Sequence, residues 1–124
     1  MEKVLGIGGV FFRAPDPIAL AFWYREHLGI NLVPENYEQS PWQQQAGPTA
    51  WPFPEDTDHF GDRQRQWMIN FRVANLDAMV EQLRAAGSSV EFDANNPYPN
   101  GRFARTHDPE GNPVELWEPA GRDK

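Results

Sequence analysis

The sequence predicts an α+β protein of two βαβββ modules within one domain spanning 1–124, with module one at about 1–60 and module two at about 61–120. Three observations predict it. A strand-then-helix phrase occurs twice, short β-friendly runs follow each helix, and a polar, turn-rich segment separates the two sets.

Val4 to Ala14 is apolar and β-friendly and stops at Pro15-Asp16-Pro17, where Asp16 is a natural N-cap and Pro17 suits the first helical position. Leu20, Trp23, Tyr24, His27 and Leu28 then follow a helical stripe, and Gly29 stands where a left-handed cap belongs. Strands are expected next at Ile30 to Val33, Trp42 to Ala46 and Thr49 to Phe53. The run from Pro54 to Asp62 connects the modules, and its aromatics and acids suit either a plain connector or a flap.

Gln66 to Val73 opens the second phrase, in which Asn75 caps a helix striped by Leu76, Met79, Val80 and Leu83 and closed by Gly87. Phe12-Arg13-Ala14 matches Phe71-Arg72-Val73 at an offset of 59 residues. Further strands are expected at Ser89 to Phe92, Arg102 to His107 and Pro113 to Glu118. The last two are joined by Asp108-Pro109-Glu110-Gly111-Asn112, a hairpin loop by its Pro, Gly and Asn.

Composition narrows the function. With 11 Lys and Arg against 18 Asp and Glu, the net charge of −7 argues against duplex nucleic acid and anionic membranes, which need cationic side chains to replace counterions. The absence of Cys excludes a disulfide framework, a thiolate zinc site and a catalytic cysteine. No apolar stretch approaches the roughly 18 residues of a membrane span. Glu2-Lys3-Val4-Leu5-Gly6 does not open a signal peptide, so the expectation is a soluble cytoplasmic protein with neither nucleic-acid nor membrane partners.

Strand alternation assigns side chains to faces. Val10, Phe12 and Ala14, Ile69, Phe71 and Val73, and Val114 and Leu116 should meet the helices. The opposite face then receives Phe11, Arg13, Met68, Asn70, Arg72, Glu115 and Trp117. Aromatic, thioether, guanidinium and carboxylate groups together are what a concave ligand site contains. A carboxylate there must meet a cation or take up a proton, so Arg13 or Arg72 is expected to neutralise Glu115 while the other grips an anionic or carbonyl-bearing ligand.

Gly8 to Asp16, the helix end His27-Leu28-Gly29, and Asp108-Pro109-Glu110-Gly111-Asn112-Pro113-Val114-Glu115-Leu116-Trp117 together resemble the glyoxalase, bleomycin-resistance protein and extradiol dioxygenase superfamily, the vicinal oxygen chelate proteins. The resemblance runs over essentially the whole chain, and the Asp-Pro-x-Gly-Asn-x-x-Glu-Leu phrase is its most specific part. It implies that the strands of the two modules curl into a cup around a ligand or metal, commonly in a homodimer with modules sometimes exchanged between chains. It also implies metal ligands on the first strand of each module and on the last strand, positions that fall on Gly9, Met68 and Glu115.

Only Glu115 of these can hold an ion, since Gly lacks a side chain and a thioether suits hard or borderline ions poorly. His107 is a substitute donor at most, and His27 and His59 have no ligand spacing. No metal or other cofactor is therefore expected, which disfavours a dioxygenase.

The expected function is capture of a small aromatic or oxygen-rich molecule in a cup without the usual metal ligands. Phe11, Arg13, Trp51, Phe53, Met68, Asn70, Arg72 and Trp117 would form the ligand site. The alternative is a glyoxalase-related lyase or isomerase with Glu115 as catalytic base, with or without Zn, Ni, Fe or Mn.

Overall fold

Asn75 caps one of the two α-helices of the structure, a computed structural model that describes residues 1–124. Its side chain accepts a hydrogen bond from Ala78 N at 3.0 Å, and the helix α2, Leu76–Ala85, buries Leu76, Val80 and Leu83. Gly87, at φ 94°, turns the chain out of it. The other helix, α1, Pro17–Leu28, starts the same way: Asp16 Oδ1 accepts from Ala19 N at 3.1 Å, and Gly29 at φ 73° ends it.

Four strands, β1 (Ile69–Arg72), β2 (Glu91–Phe92), β3 (Gly101–His107) and β4 (Pro113–Pro119), form one open sheet in the order β1-β4-β3-β2. β1 runs parallel to β4, and the other two pairings are antiparallel. A parallel neighbour requires a crossover, which α2, β2 and β3 supply.

Ala104, Val114 and Leu116 of the sheet, with Val90, close on Leu76, Val80 and Leu83 of α2 and on Leu20 and Tyr24 of α1. Both helices thus lie on one side of the sheet, as the apolar stripes require.

The Asp108–Asn112 loop pins α1 to the sheet. Asp108 Oδ1 accepts from the Glu110 and Asn112 amides, and Oδ2 accepts from Asn112 Nδ2 and the Tyr24 hydroxyl. The sequence phrase most specific to the family resemblance therefore serves the architecture, by satisfying a buried carboxylate with four donors.

The first module departs from expectation. Its helix joins the core, but Val4 to Ala14, Ile30 to Val33, Trp42 to Ala46 and Thr49 to Phe53 form no strands. Strand propensity becomes a strand only where a partner supplies the ladder. Gly6, Gly8 and Gly9 weaken the first run, while Pro52 removes an amide donor from the last of the later ones and Pro34, Pro41, Pro48 and Pro54 border them. Val4, Leu5 and Phe11 consequently stay exposed.

Candidate functional site

The side of the sheet away from the helices follows the predicted alternation. Asn70 pairs in register with Glu115 and Arg72 with Trp117, while Arg105 and Phe103 stand opposite the same two β4 residues from β3. One face thus presents Asn70, Arg72, Phe103, Arg105, Glu115 and Trp117.

Glu115 is its centre and is only 4% exposed. Asn70 Nδ2 donates to Oε1 at 2.8 Å. Oε2 lies 2.9 Å from His59 Nε2 and 3.5 Å from Arg105 Nε, yet neither contact is an aligned hydrogen bond and the oxygen has no hydrogen-bond partner. Both contacts are therefore electrostatic.

Arg105 also lies against the His59 ring, with Nη2 3.3 Å from Nε2. Beyond it, Asp93 accepts from Asn95 N and from the Tyr98 hydroxyl. The backbone bond from Asn95 is the main cause holding the Asp93 carboxyl below its ordinary range; Tyr98 and the charges of Arg105 and His59 assist. Tyr98 shifts upward in turn because it donates to Asp93.

Two register pairs along from Glu115, the rings of Phe103 and Trp117 are nearly parallel, with centroids 5.9 Å apart and planes 4° from each other. Trp117 Nε1 donates to Asn100 O at 2.9 Å, and Tyr98 meets Phe103 edge-on. Trp117 is itself only 7% exposed, so the half-buried Phe103 ring is the part of this pair that reaches the surface beside the buried carboxylate.

The arginine that meets Glu115 is neither Arg13 nor Arg72. Arg72 is two register steps away and donates instead to the carbonyls of Gln45 at 2.7 Å and Ala46 at 3.4 Å, and Arg13 is exposed. Arg105 is placed by the hairpin, which sets it directly across from Glu115.

Asn70, Arg72, Glu115 and Trp117 share the face as expected from alternation, and Met68 is half-buried just before β1. Phe53 lies 5.1 Å from the His59 ring and 5.9 Å from Phe60. Trp51 and Phe11 are 79% and 95% exposed. His107 is exposed at the end of β3, opposite Pro113.

Sequence reasoning missed Phe103, Arg105 and His59. The first two were readable by counting back from the Asp108–Asn112 loop, since pairing His107 with Pro113 sets Arg105 against Glu115. No local signal marked His59. No group of three His, Cys, Asp or Glu side chains converges, so the potential ion donors at the site are His59 and Glu115. A separate depression of about 420 Å³ runs along α1 beside Trp23, His27 and Glu110 and shares no residue with this face.

No helix is long and apolar enough to cross a membrane. Among solved structures, a glyoxalase/bleomycin resistance protein/dioxygenase domain from Frankia sp. EAN1pec shares the fold at TM-score 0.60 and 19% identity, covering 95% of this chain and 100% of that one. TnmS3, an antibiotic binding protein from Streptomyces sp. CB03234, aligns at TM-score 0.54 and 22% identity over 85% of this chain and 88% of its own. A glyoxalase/bleomycin resistance protein from that Streptomyces strain shares 27% identity at TM-score 0.38, over 44% of this chain; the chain spans only 46% of that protein. No curated protein matches. The model of the glyoxalase-like domain matches residues 9–117, from the glycine-rich run before α1 to the tryptophan beside Glu115, and the chain belongs to that family.

Proposed function

We propose that this glyoxalase-like protein binds a small planar, aromatic or oxygen-rich molecule on the face around Glu115 and Trp117, without a metal ion. The parallel Phe103–Trp117 pair beside a buried carboxylate carries the reading. Aromatic surface supplies affinity for a flat ring, and a few convergent polar groups orient it. Use of the same fold by TnmS3, an antibiotic binding protein, is consistent with it.

The residues present do not fit the divalent ion of the superfamily. Gly9 and Met68 occupy two expected ligand positions, and the Arg105 guanidinium stands 3.5 Å from the one carboxylate, a fixed positive charge beside the ion's place.

The test is a thermal-shift series with flat polycyclic phenols and quinones. Saturable stabilisation of the protein, lost in Phe103→Ala, is expected. No stabilisation by any of them overturns the reading, as does stoichiometric Zn, Ni, Fe or Mn after chelator-free purification that disappears in Glu115→Ala.

A second reading is favoured by one observation, the 2.9 Å approach of His59 Nε2 to Glu115 Oε2. An imidazole beside a carboxylate can hold and pass a proton, which suits a lyase or isomerase with Glu115 as base. Exchange of the α-proton of a hydroxyketone into heavy water, abolished in Glu115→Gln, would establish it.

A further inference from the structure

Glu115 Oε2 is a buried acceptor whose hydrogen bond is missing, while the other oxygen of the same carboxylate is satisfied by Asn70. The group nearest this unsatisfied oxygen is the imidazole of His59, whose nitrogen is close enough but points off the bonding direction. That ring is set as a small heteroaromatic ligand would be set. Phe53 lies at 5.1 Å and Phe60 at 6.4 Å, with the Arg105 guanidinium beside it and the carboxylate at its edge.

The segment that carries His59 is otherwise closed on itself. Thr57 N bonds Pro54 O, Gly61 N bonds Asp58 O, His59 N bonds Thr57 Oγ1, and Arg63 pairs with Asp58. The polar links from this loop to the sheet are those of the His59 side chain. Releasing the ring therefore frees the Glu115 oxygen without dismantling the loop.

Building on the ligand-binding reading, we infer that His59 is an internal stand-in for the ligand: the molecule that binds displaces the imidazole and places its own ring N–H or O–H on Glu115 Oε2. The ligand class is accordingly a flat ring bearing a donor at its edge, such as a nitrogen heterocycle or its cation. A ring of the same shape without a donor leaves the buried oxygen unsatisfied and is rejected. His59 acts here as a specificity-determining residue, because any ligand has to outcompete it.

Free imidazole is the probe. In His59→Ala, imidazole should raise the melting temperature saturably and bind at least tenfold more tightly than to the unmodified protein. Thiazole, a neutral five-membered ring of similar size without N–H, should not bind. Adding Glu115→Gln should weaken imidazole at least tenfold. Equal binding to both proteins, or equal binding of the two probes, overturns the inference.

If His59→Ala does not fold, Glu115→Gln with His59 intact is followed by the NMR shifts of the His59 ring protons. Release of the ring predicts shifts that move to those of a solvent-exposed histidine, and unchanged shifts overturn the proposal. Polycyclic ligands that bind without an imidazole site would sink the stand-in alone. An imidazole site without any polycyclic ligand would sink only the broader ligand class.

Discussion

Tyr24 on α1 donates its hydroxyl to Asp108 Oδ2 at 2.7 Å, tying the first module's helix to the β3–β4 loop across 84 positions of sequence. Both residues are buried, and the Asp108 carboxylate also accepts two amides and the Asn112 side chain. Burial, and next the bond to Asp108, push the Tyr24 hydroxyl upward from its ordinary 10.0, so it stays neutral in the fold.

Tyr24→Phe should cost about 1.5–3 kcal/mol, the range for a hydrogen bond to a charged group. The pH dependence has a definite sign. Because the folded-state value is raised, the contribution is complete below pH 10.0 and is lost as pH climbs beyond it, where the unfolded chain ionises first. Urea unfolding at neutral pH and near pH 11 should show the two proteins converging at the higher pH; a constant gap would refute this.

Arg105→Ala should destabilise the protein by about 1–2 kcal/mol, less than the 3–5 kcal/mol of a fully buried pair because the arginine side chain is 39% exposed. Adding Glu115→Gln should recover part of the loss, since an amide needs no cation. Arg72→Ala, which removes two bonds to main-chain carbonyls, should not be rescued by that second change. A double-mutant cycle on denaturant midpoints separates the cases.

Gly101 opens β3 at φ 137°, and a Cβ there would run into the Glu118 carbonyl and the Trp117 indole nitrogen. Gly101→Ala should therefore cost on the order of 3 kcal/mol through strain and displacement. The near-UV dichroism of the Phe103–Trp117 pair should fall with it. An unaltered spectrum would show that the strand end tolerates a side chain.

On the helix side, Arg102 grips Asp77 with two bonds of 2.9 and 3.1 Å. That grip holds the Asp77 carboxyl below its ordinary 3.8, so its contribution is present above that value and lost as pH falls through the lowered one. Asp77→Asn should flatten the acid limb of the stability curve below about pH 4. The effect should shrink in about 1 M salt, where the screening length is near 3 Å. Chemical denaturation at several acid pH values measures both.

Much of the second module is legible in the sequence. Asn75 and Gly87 bracket α2, the alternation through β4 separates Leu116 from Glu115 and Trp117, and the Asp108–Asn112 loop is the hairpin its residues imply. The first module was legible only in its helix. The runs around Val10, Leu32 and Trp51 have strand composition, but composition does not supply the neighbouring chain that a ladder requires.

Helix caps, hairpin turn chemistry and the facing of alternate side chains depend on residues within a few positions of one another, so the order of amino acids decides them directly. Which cation meets Glu115 depends on register between two strands, and that selected Arg105 over Arg13 and Arg72. The arrival of His59 at the same carboxylate depends on the course of a loop 56 positions upstream. Hydrogen bonds and close ion pairs need separations of about 3–4 Å, so only the folded chain, by setting those distances, could turn a face of suitable residues into a site.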